Sequence, residues 1–427
     1  MKEVIAFATL FLGLASGPQE VEVLVGREVA WVELSVDGKP SCRIDGELWK
    51  ATCNLGRQLE PRELEAIAYS ESGDELGRTS QWINTARPPA QTEILLDMDP
   101  DTEIVTARLR GTSITSEHPE SISVQFDGQS LPADDPAAIE LPPHDPEQLH
   151  YLRIDVQFAD GLSSTIERTF GGSFVDEIDT ELTAVPLELP TKRDELPSGA
   201  GLLQAHGEQL PLVDVVKGPA EIILVRDRSA QRDLDHMATS RNLPNYRAVA
   251  SLKRGYSLRL LRPVAELSPR EGLDMRLFGS SPTLTATDGG LLWILTSFRP
   301  PMTSPESQKL SDAVAVAGMT VASSGHRRAV VLLLGPDAAD HSQHGAAEVR
   351  RYLAQMRVPL VVWSTAGAGD TPWGPAADTS SWNRMERQTR MLTKSLERQR
   401  IAWVRGVYLP DEVTLSATDS GIRLAGS

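Results

Sequence analysis

Two hydrophobic rhythms divide this chain. In the first, apolar and polar residues alternate in short runs. VAWVELSVDGKPSC (29–42) is one such run. Its aromatic and β-branched residues predict a half-buried strand, and Asp37-Gly38 predicts a hairpin turn. Leu64 to Tyr69 alternates again, and Glu71-Ser72-Gly73-Asp74 turns the chain back. After the Pro-rich break ARPPAQ (86–91) the pattern recurs. ESISVQFDGQSLP (120–132) carries Asp127-Gly128, and LHYLRIDVQFADG (149–161) supplies another alternating strand. The two Asp-Gly turns are 90 residues apart (127 − 37). This layout predicts an internal repeat of two small β-sandwiches, over 16–88 and 89–172.

The second rhythm begins at EIILVRDRSAQ (221–231). Ile222 to Val225 are apolar without alternation, as in a strand buried on both faces of a parallel sheet. RAVVLLLGPD (328–337) and RVPLVVW (357–363) repeat the pattern. Helical stripes lie between and after these runs. Leu310, Ala313, Val314, Ala317 and Val321 form one, with Ser304-Pro305 as its start signal. Val349, Tyr352, Leu353 and Met356 form a second, and Trp382, Met385, Leu392 and Leu396 a third. A polar helix is expected over Gln231 to Leu243, and strands over YRAVAS (246–251), YSLRLL (256–261) and IAWV (401–404). The expectation is an α/β doubly wound domain over 219–427 with a C-terminal β tail. Residues 173–218 read as a β-rich bridging segment whose strands pack on that domain. Asp227 and Ser229 stand where the first buried strand gives way to a helix. In open α/β sheets ligands bind at this carboxyl edge.

Charge sharpens the division. Residues 1–218 hold 16 Lys+Arg and 39 Asp+Glu, a net of −23, and the remainder holds 26 and 20, a net of +6. A phosphate backbone would be repelled by the first half, so nucleic acid is not an expected partner. With 40% hydrophobic and 24% charged residues, the chain is globular rather than disordered.

MKEVIAFATLFLGLASG (1–17) places a Lys before an apolar run from Val4 to Leu14, followed by small residues. This order predicts a signal peptide over 1–15 and a mature chain starting near Ser16, exported to the periplasm or the exterior. A buried N-terminal strand or helix is the alternative. The run is too short to span a bilayer, so no transmembrane segment is expected. Cys42 and Cys53 are the only cysteines. In an exported chain they suit one disulfide across a hairpin, the alternative being two free thiols in a cytosolic protein. In DMDPDTE (97–103), Asp97, Asp99, Asp101 and Glu103 would share one face of an extended chain. Four carboxylates there could hold Ca²⁺, with a solvated acidic turn as the alternative.

Three stretches carry a family resemblance: EIILVRDRSAQ, KLSDAVAVAGMTVASSGHRRAVVLLLGPD (309–337) and the VPLVVW strand. In order and type they resemble the von Willebrand factor A domain, in the diverged form found in secreted bacterial proteins. The upstream sandwiches look immunoglobulin-like. The resemblance implies a metal site: a D-x-S-x-S loop after the first strand, with a Thr and an Asp from later loops, holding Mg²⁺ that a partner's carboxylate completes. Asp227 and Ser229 match the first two positions, but Gln231 stands at the third. Gln308 stands where the Thr is expected, unless a longer loop brings Thr303 or Ser304. Gly335-Pro336-Asp337 offers its acid one place late. The expected outcome is a degenerate site, metal candidates Asp227, Ser229 and Asp337, with no cofactor or at most a weakly held Mg²⁺ or Ca²⁺. Alternatively, Asp227 and Ser229 simply cap the following helix.

Other chemistry is sparse. Asp340, His341 and His344 crowd one loop, where Asp340 or Ser342 is expected to cap the next helix. AGAG (366–369) lacks the Gly-Lys-Ser/Thr of a phosphate loop, and no Gly-x-Ser-x-Gly elbow occurs. No catalytic residue is assigned. The expected function is secreted, non-enzymatic binding, adhesion or structural support, toward a protein or cell-surface component. The alternative is an extracellular or periplasmic hydrolase with β-sandwich accessory domains.

Overall fold

The computed structural model describes residues 4–46, 48–98, 105–114, 116, 118–133, 135–136, 138–145, 148–170, 182–190, 201–240, 245–265, 278–299, 307–416 and 421–426. The chain breaks near Thr180 into two compact units.

The first unit holds two sandwiches built on one plan. The first uses β1 (Ile5–Phe7), β2 (Pro18–Val25), β3 (Trp31–Val36), β4 (Lys39–Ile44), β5 (Lys50–Asn54), β6 (Arg62–Tyr69) and β7 (Glu75–Ile83). Its sheets run β1-β2-β5 and β4-β3-β6-β7. The second uses β8 (Ala90–Met98), β9 (Val105–Ser113), β10 (Ser121–Phe126), β11 (Gln129–Leu131), β12 (Ile139–Glu140), β13 (His150–Gln157) and β14 (Ser163–Phe170). Its sheets run β8-β9-β12 and β11-β10-β13-β14. The order is the same, strand for strand. Period-two patterning explains why: Leu64, Ala66 and Ala68 point inward from β6, and Leu152, Ile154 and Val156 from β13. Both Asp-Gly turns are left-handed at their two central residues: φ is 50° at Asp37, 71° at Gly38, 47° at Asp127 and 79° at Gly128. That is the two-residue turn whose twist matches antiparallel strands.

Two features of the first sandwich depart from expectation. Residues 4–15, expected as a leader, are built into the fold. β1 pairs with β2 through Ile5↔Val25, Ala6↔Leu24 and Phe7↔Val23. Val4, Ile5, Phe7, Leu10 and Phe11 join the core. The Asn84 side chain brackets Ala15: it accepts from the Ala15 N–H at 2.8 Å and donates to the Ala15 carbonyl at 2.9 Å. A short apolar run serves a leader or a buried strand equally well, and the contacts that use it come from far along the chain. The disulfide between Cys42 and Cys53 is present, with Cα atoms 5.2 Å apart. It does not lie across a hairpin, however. Cys42 sits in β4 opposite Leu34, and Cys53 in β5 opposite Gln19, so the bond joins the two sheets.

The second unit begins with β15 (Leu182–Glu188), β16 (Leu203–Ala205), β17 (Glu208–Gln209) and β18 (Leu212–Val216). It begins upstream of the charge step at residue 218. Next come β19 (Ala220–Arg226), α1 (Ala230–Ala238), β20 (Tyr256–Ala265), β21 (Phe278–Ser280), β22 (Leu284–Thr285) and α2 (Leu291–Ser297). The series continues with α3 (Leu310–Ser323), β23 (Arg327–Leu334), α4 (Ala346–Gln355), β24 (Leu360–Ser364), β25 (Gly369–Thr371), β26 (Gly374–Asp378) and α5 (Trp382–Arg398). It closes with β27 (Gln399–Arg405), β28 (Thr414–Leu415) and β29 (Arg423–Leu424). YRAVAS is not a strand: Tyr246–Ala248 forms a short 3-10 turn started by the Asn245 side chain, which accepts from Arg247 N–H.

The large sheet runs β21-β20-β19-β23-β24-β26-β25, and β22 also pairs with β20. β19 pairs in parallel with β20 and β23, and β24 in parallel with β23 and β26, while β21 is antiparallel at the edge. Every residue of β19 and β23 is buried, which is why these strands carry continuous apolar runs. Helices cover both faces. Leu234 of α1, Leu292 and Leu295 of α2, and Leu392 and Leu396 of α5 pack with Ile222, Leu224, Val331 and Leu333. Opposite them α3 lies almost wholly buried against β19, β20, β23 and α4. Gly318 makes that fit possible: a Cβ there would sit 1.9 Å from Leu353 Cδ2. A second sheet, β18-β27-β15-β29, gathers the upstream strands and the tail.

Candidate functional site

The strand order reverses between β19 and β23. Loops leave the carboxyl ends of these neighbours in opposite directions along the sheet and open the crevice where doubly wound folds bind ligands. Asp227 and Ser229 follow β19, and Gly335 to Asp337 follow β23.

Asp227 is fully buried. Its Oδ1 accepts from Ser229 N–H at 3.2 Å and from Gln308 Nε2 at 2.9 Å. Its Oδ2 accepts from Gly335 N–H at 2.9 Å and from the Ser229 hydroxyl. Ser229 Oγ in turn accepts from the Asp337 N–H at 3.2 Å. The sheet therefore brings Asp227 and Ser229 together, but only the backbone of Asp337 reaches them, and its residue is exposed. Helix α1 receives no side-chain cap from Ser229; Asp227 instead closes a turn onto the Ser229 amide. Gly335 has to be glycine, because a Cβ would lie 2.2 Å from both Ser229 Oγ and Ala230 N.

Gln308 completes the set. Its Nε2 also donates to the Ala339 carbonyl at 2.5 Å, and its Oε1 accepts from Arg228 N–H at 3.0 Å. The partners fix the amide's orientation, since a backbone N–H only donates while a carboxylate and a carbonyl only accept. Gln231 takes no part: its Nε2 donates along α1 to Asp235 Oδ1 at 2.9 Å. A hard cation must be met by oxygens. Here an amide N–H faces Asp227 Oδ1 and protein donors fill Oδ2, so these residues do not fit the Mg²⁺ that the family resemblance implies. Among the described residues no group of three or more His, Cys, Asp or Glu is placed to hold a metal. Of the acidic run 97–103, Asp97 lies near Arg108 Nη2 at 3.4 Å and Arg27 Nε at 3.8 Å; Asp99, Asp101 and Glu103 lie outside the described residues, as do Thr303 and Ser304.

Neighbouring groups cap and anchor the adjoining helices. Asp340 caps α3, the helix before it in sequence, not α4 after it. Its Oδ1 accepts from Leu310 N–H at 2.9 Å, and it also takes the Ser311 amide and hydroxyl. Asp312, buried in the first turn of α3, accepts from the amides of Gln343 and His344 at 2.9 and 3.1 Å; burial raises its pKa. His344 is buried beside Glu348, Nδ1 to Oε2 3.4 Å, whereas His341 is exposed. Arg226, at the end of β19, donates to the carbonyls of Leu295 and Phe298 and so holds the end of α2; burial lowers its pKa to about 10. Residues 366–369 lead into the hairpin β25-β26 and not into a helix, so they lack the strand-loop-helix geometry of a phosphate cradle.

No family model matches the chain, and no curated protein matches it. Among solved structures it is similar to the fibronectin(III)-like modules of Clostridium thermocellum CbhA, with 14% identity, 39% of this chain and 93% of that one covered, and a TM-score of 0.16. The central fibronectin-III array of RIM-binding protein matches at 12% identity over 42% of this chain and 75% of that one, TM-score 0.20. The BSP domain of a biofilm-associated protein matches at 13% identity over 40% and 30%, TM-score 0.22. Scores this low identify no homologue. No helix among the described residues is long and apolar enough to cross a membrane.

Proposed function

We propose that this chain is a non-enzymatic binding or structural protein of an oxidising, extracytoplasmic compartment, in which two β-sandwiches accompany a diverged von Willebrand type A domain. The observation that carries the proposal is the closed set around Asp227. Four protein donors converge on that fully buried carboxylate, at the edge of the sheet where a ligand is expected. Support for the domain type comes from the order of the parallel strands, β20-β19-β23-β24-β26, and from the Asp227-x-Ser229 turn at the switch point. Support for the compartment comes from the Cys42–Cys53 bond, since structural disulfides persist where thiols are not kept reduced. Recognition by such a protein uses ordinary surface contacts toward a protein or cell-surface component, with no metal bridge. Calorimetry on the full chain tests this. Millimolar Mg²⁺ or Mn²⁺ is expected to give no saturable heat; saturable binding abolished by Asp227→Ala would overturn the lapsed site and make metal-dependent adhesion the leading function.

A further inference from the structure

We propose that the Gln308 carboxamide is a built-in substitute for a cation, locking the ligand-binding edge of the sheet in one arrangement without metal. The comparison with a cation rests on the domain type proposed above; the lock itself rests on the contacts. A divalent ion in such a crevice would draw a carboxylate and neighbouring loop oxygens to one point. Gln308 does this with an amide. Its two N–H groups point at two acceptors, Asp227 Oδ1 at 2.9 Å and the Ala339 carbonyl at 2.5 Å. Its oxygen takes the Arg228 amide at 3.0 Å. Three segments meet at this one side chain: the turn after β19, the lead-in to α3, and the loop after β23. The Gln308 carbonyl also accepts from His341 N–H at 2.8 Å, so the backbone is held as well as the side chain. Gln308 is only 3% exposed and Asp227 0%, so water does not compete for these bonds. An amide satisfies a buried carboxylate and a carbonyl together because it carries two donors on one atom. A threonine hydroxyl carries one.

The isosteric exchange Gln308→Glu tests the lock directly. It keeps the shape and replaces the donors with acceptors, leaving two carboxylates and a carbonyl facing one another without a proton or cation between them. The full-length variant should be less stable than the parent at pH 7.5. It should regain stability as pH falls and one carboxyl protonates, and also on addition of millimolar Mn²⁺. The α/β unit of the parent should show neither response. Gln308→Thr supplies the second variant: with the bridge gone and its partners left unpaired, the melting temperature of the α/β unit should fall by about 4–8 °C. Hydrogen exchange at the Arg228 and Gly335 amides should rise with it. If Gln308→Glu does not fold, the threonine variant decides alone. A variant as stable as the parent, with unchanged exchange at Arg228 and Gly335, overturns the lock while leaving the lapsed-site proposal intact. A parent protein stabilised by Mn²⁺ overturns both.

Discussion

The two sandwiches share a strand order and differ in what holds them. In the first, the two sheets are joined covalently by Cys42–Cys53, and the first strand is the three-residue β1. The second has no cysteine, and its first strand, β8, runs nine residues. Its ring cluster lies within one sheet and the loop before β13, and does not join the two sheets: Phe126 lies 5.4 Å from both His144 and His150, and 6.0 Å from Phe170, between ring centroids. The difference shows that a strand plan fixed by period-two patterning and turn residues leaves open whether a covalent bond joins the sheets.

The strongest way to break the comparison is to remove β1. A chain beginning at Ser16 lacks Val4, Ile5, Phe7, Leu10 and Phe11, all in the core. Each buried side chain of this type contributes about 1.5–3 kcal/mol, so the loss rivals the whole stability of a small domain. The first sandwich of that chain should unfold while the second keeps its amide dispersion, as read by NMR. A folded first sandwich would mean that β1 is dispensable to the fold. Next in size is the disulfide. Cys42→Ser with Cys53→Ser should cost the first sandwich about 2–3 kcal/mol in urea unfolding and the second nothing. A loss in both would show that the two do not unfold independently. Third are the turn glycines, Gly38→Ala and Gly128→Ala. At φ of 71° and 79° with open space around each, both should lose about 1–2 kcal/mol, and by equal amounts. Unequal losses would show that one turn bears strain the other does not.

What the sequence revealed follows from the range of the interactions. The Asp-Gly turns, the alternating strands and the doubly buried runs are local patterns, and each predicted its element. Asp227 and Ser229 were legible because strand ends at a sheet's carboxyl edge are a general place for ligands. The bridge made by Gln308 was not legible, since it joins loops that meet only in the folded sheet; a Gln fixed just before an apolar helical stripe was the available signal. Asp340 was expected to cap the helix that follows it, but the loop folds back so that it caps α3. YRAVAS has the apolar residues of a strand, yet Asn245 starts a turn there. A buried β1 is only one of two readings of residues 1–17, because nothing within them announces Asn84, 69 positions beyond Ala15.

The smallest effect separates the sandwiches by pH. In each, the turn aspartate is anchored on the facing strand in one way. Asp37 N–H donates to Glu63 O at 2.9 Å and its carboxylate accepts from Glu63 N–H at 3.1 Å; Asp127 N–H donates to Tyr151 O at 2.8 Å and its carboxylate accepts from Tyr151 N–H at 2.8 Å. The preceding residue supplies the cation, and there the two diverge. Arg62 Nε lies 3.9 Å from Asp37, and a guanidinium keeps its charge at any ordinary pH. His150 Nδ1 lies 2.7 Å from Asp127 Oδ2, and its Nε2 lies 2.8 Å from the Asp145 carbonyl. With an acceptor at each ring nitrogen, only the protonated ring satisfies both. The Asp127 carboxylate, then the Asp145 carbonyl, raises the pKa of His150, and His150 holds that of Asp127 below its ordinary value. A raised histidine contributes stability fully below its unfolded value of about 6.5, and loses it as pH rises through the folded value. A depressed aspartate contributes above about 3.9 and loses it as pH falls. The pair should therefore make the second sandwich most stable between about pH 4 and 6.5, with a melting temperature that drops toward pH 8.5. His150→Gln should flatten that slope, since a neutral amide has no proton to lose, and Arg62→His should introduce a slope into the first sandwich. Scanning calorimetry from pH 5 to 8.5 on the parent and both variants decides; a His150→Gln protein that keeps the full slope would place the titrating group elsewhere.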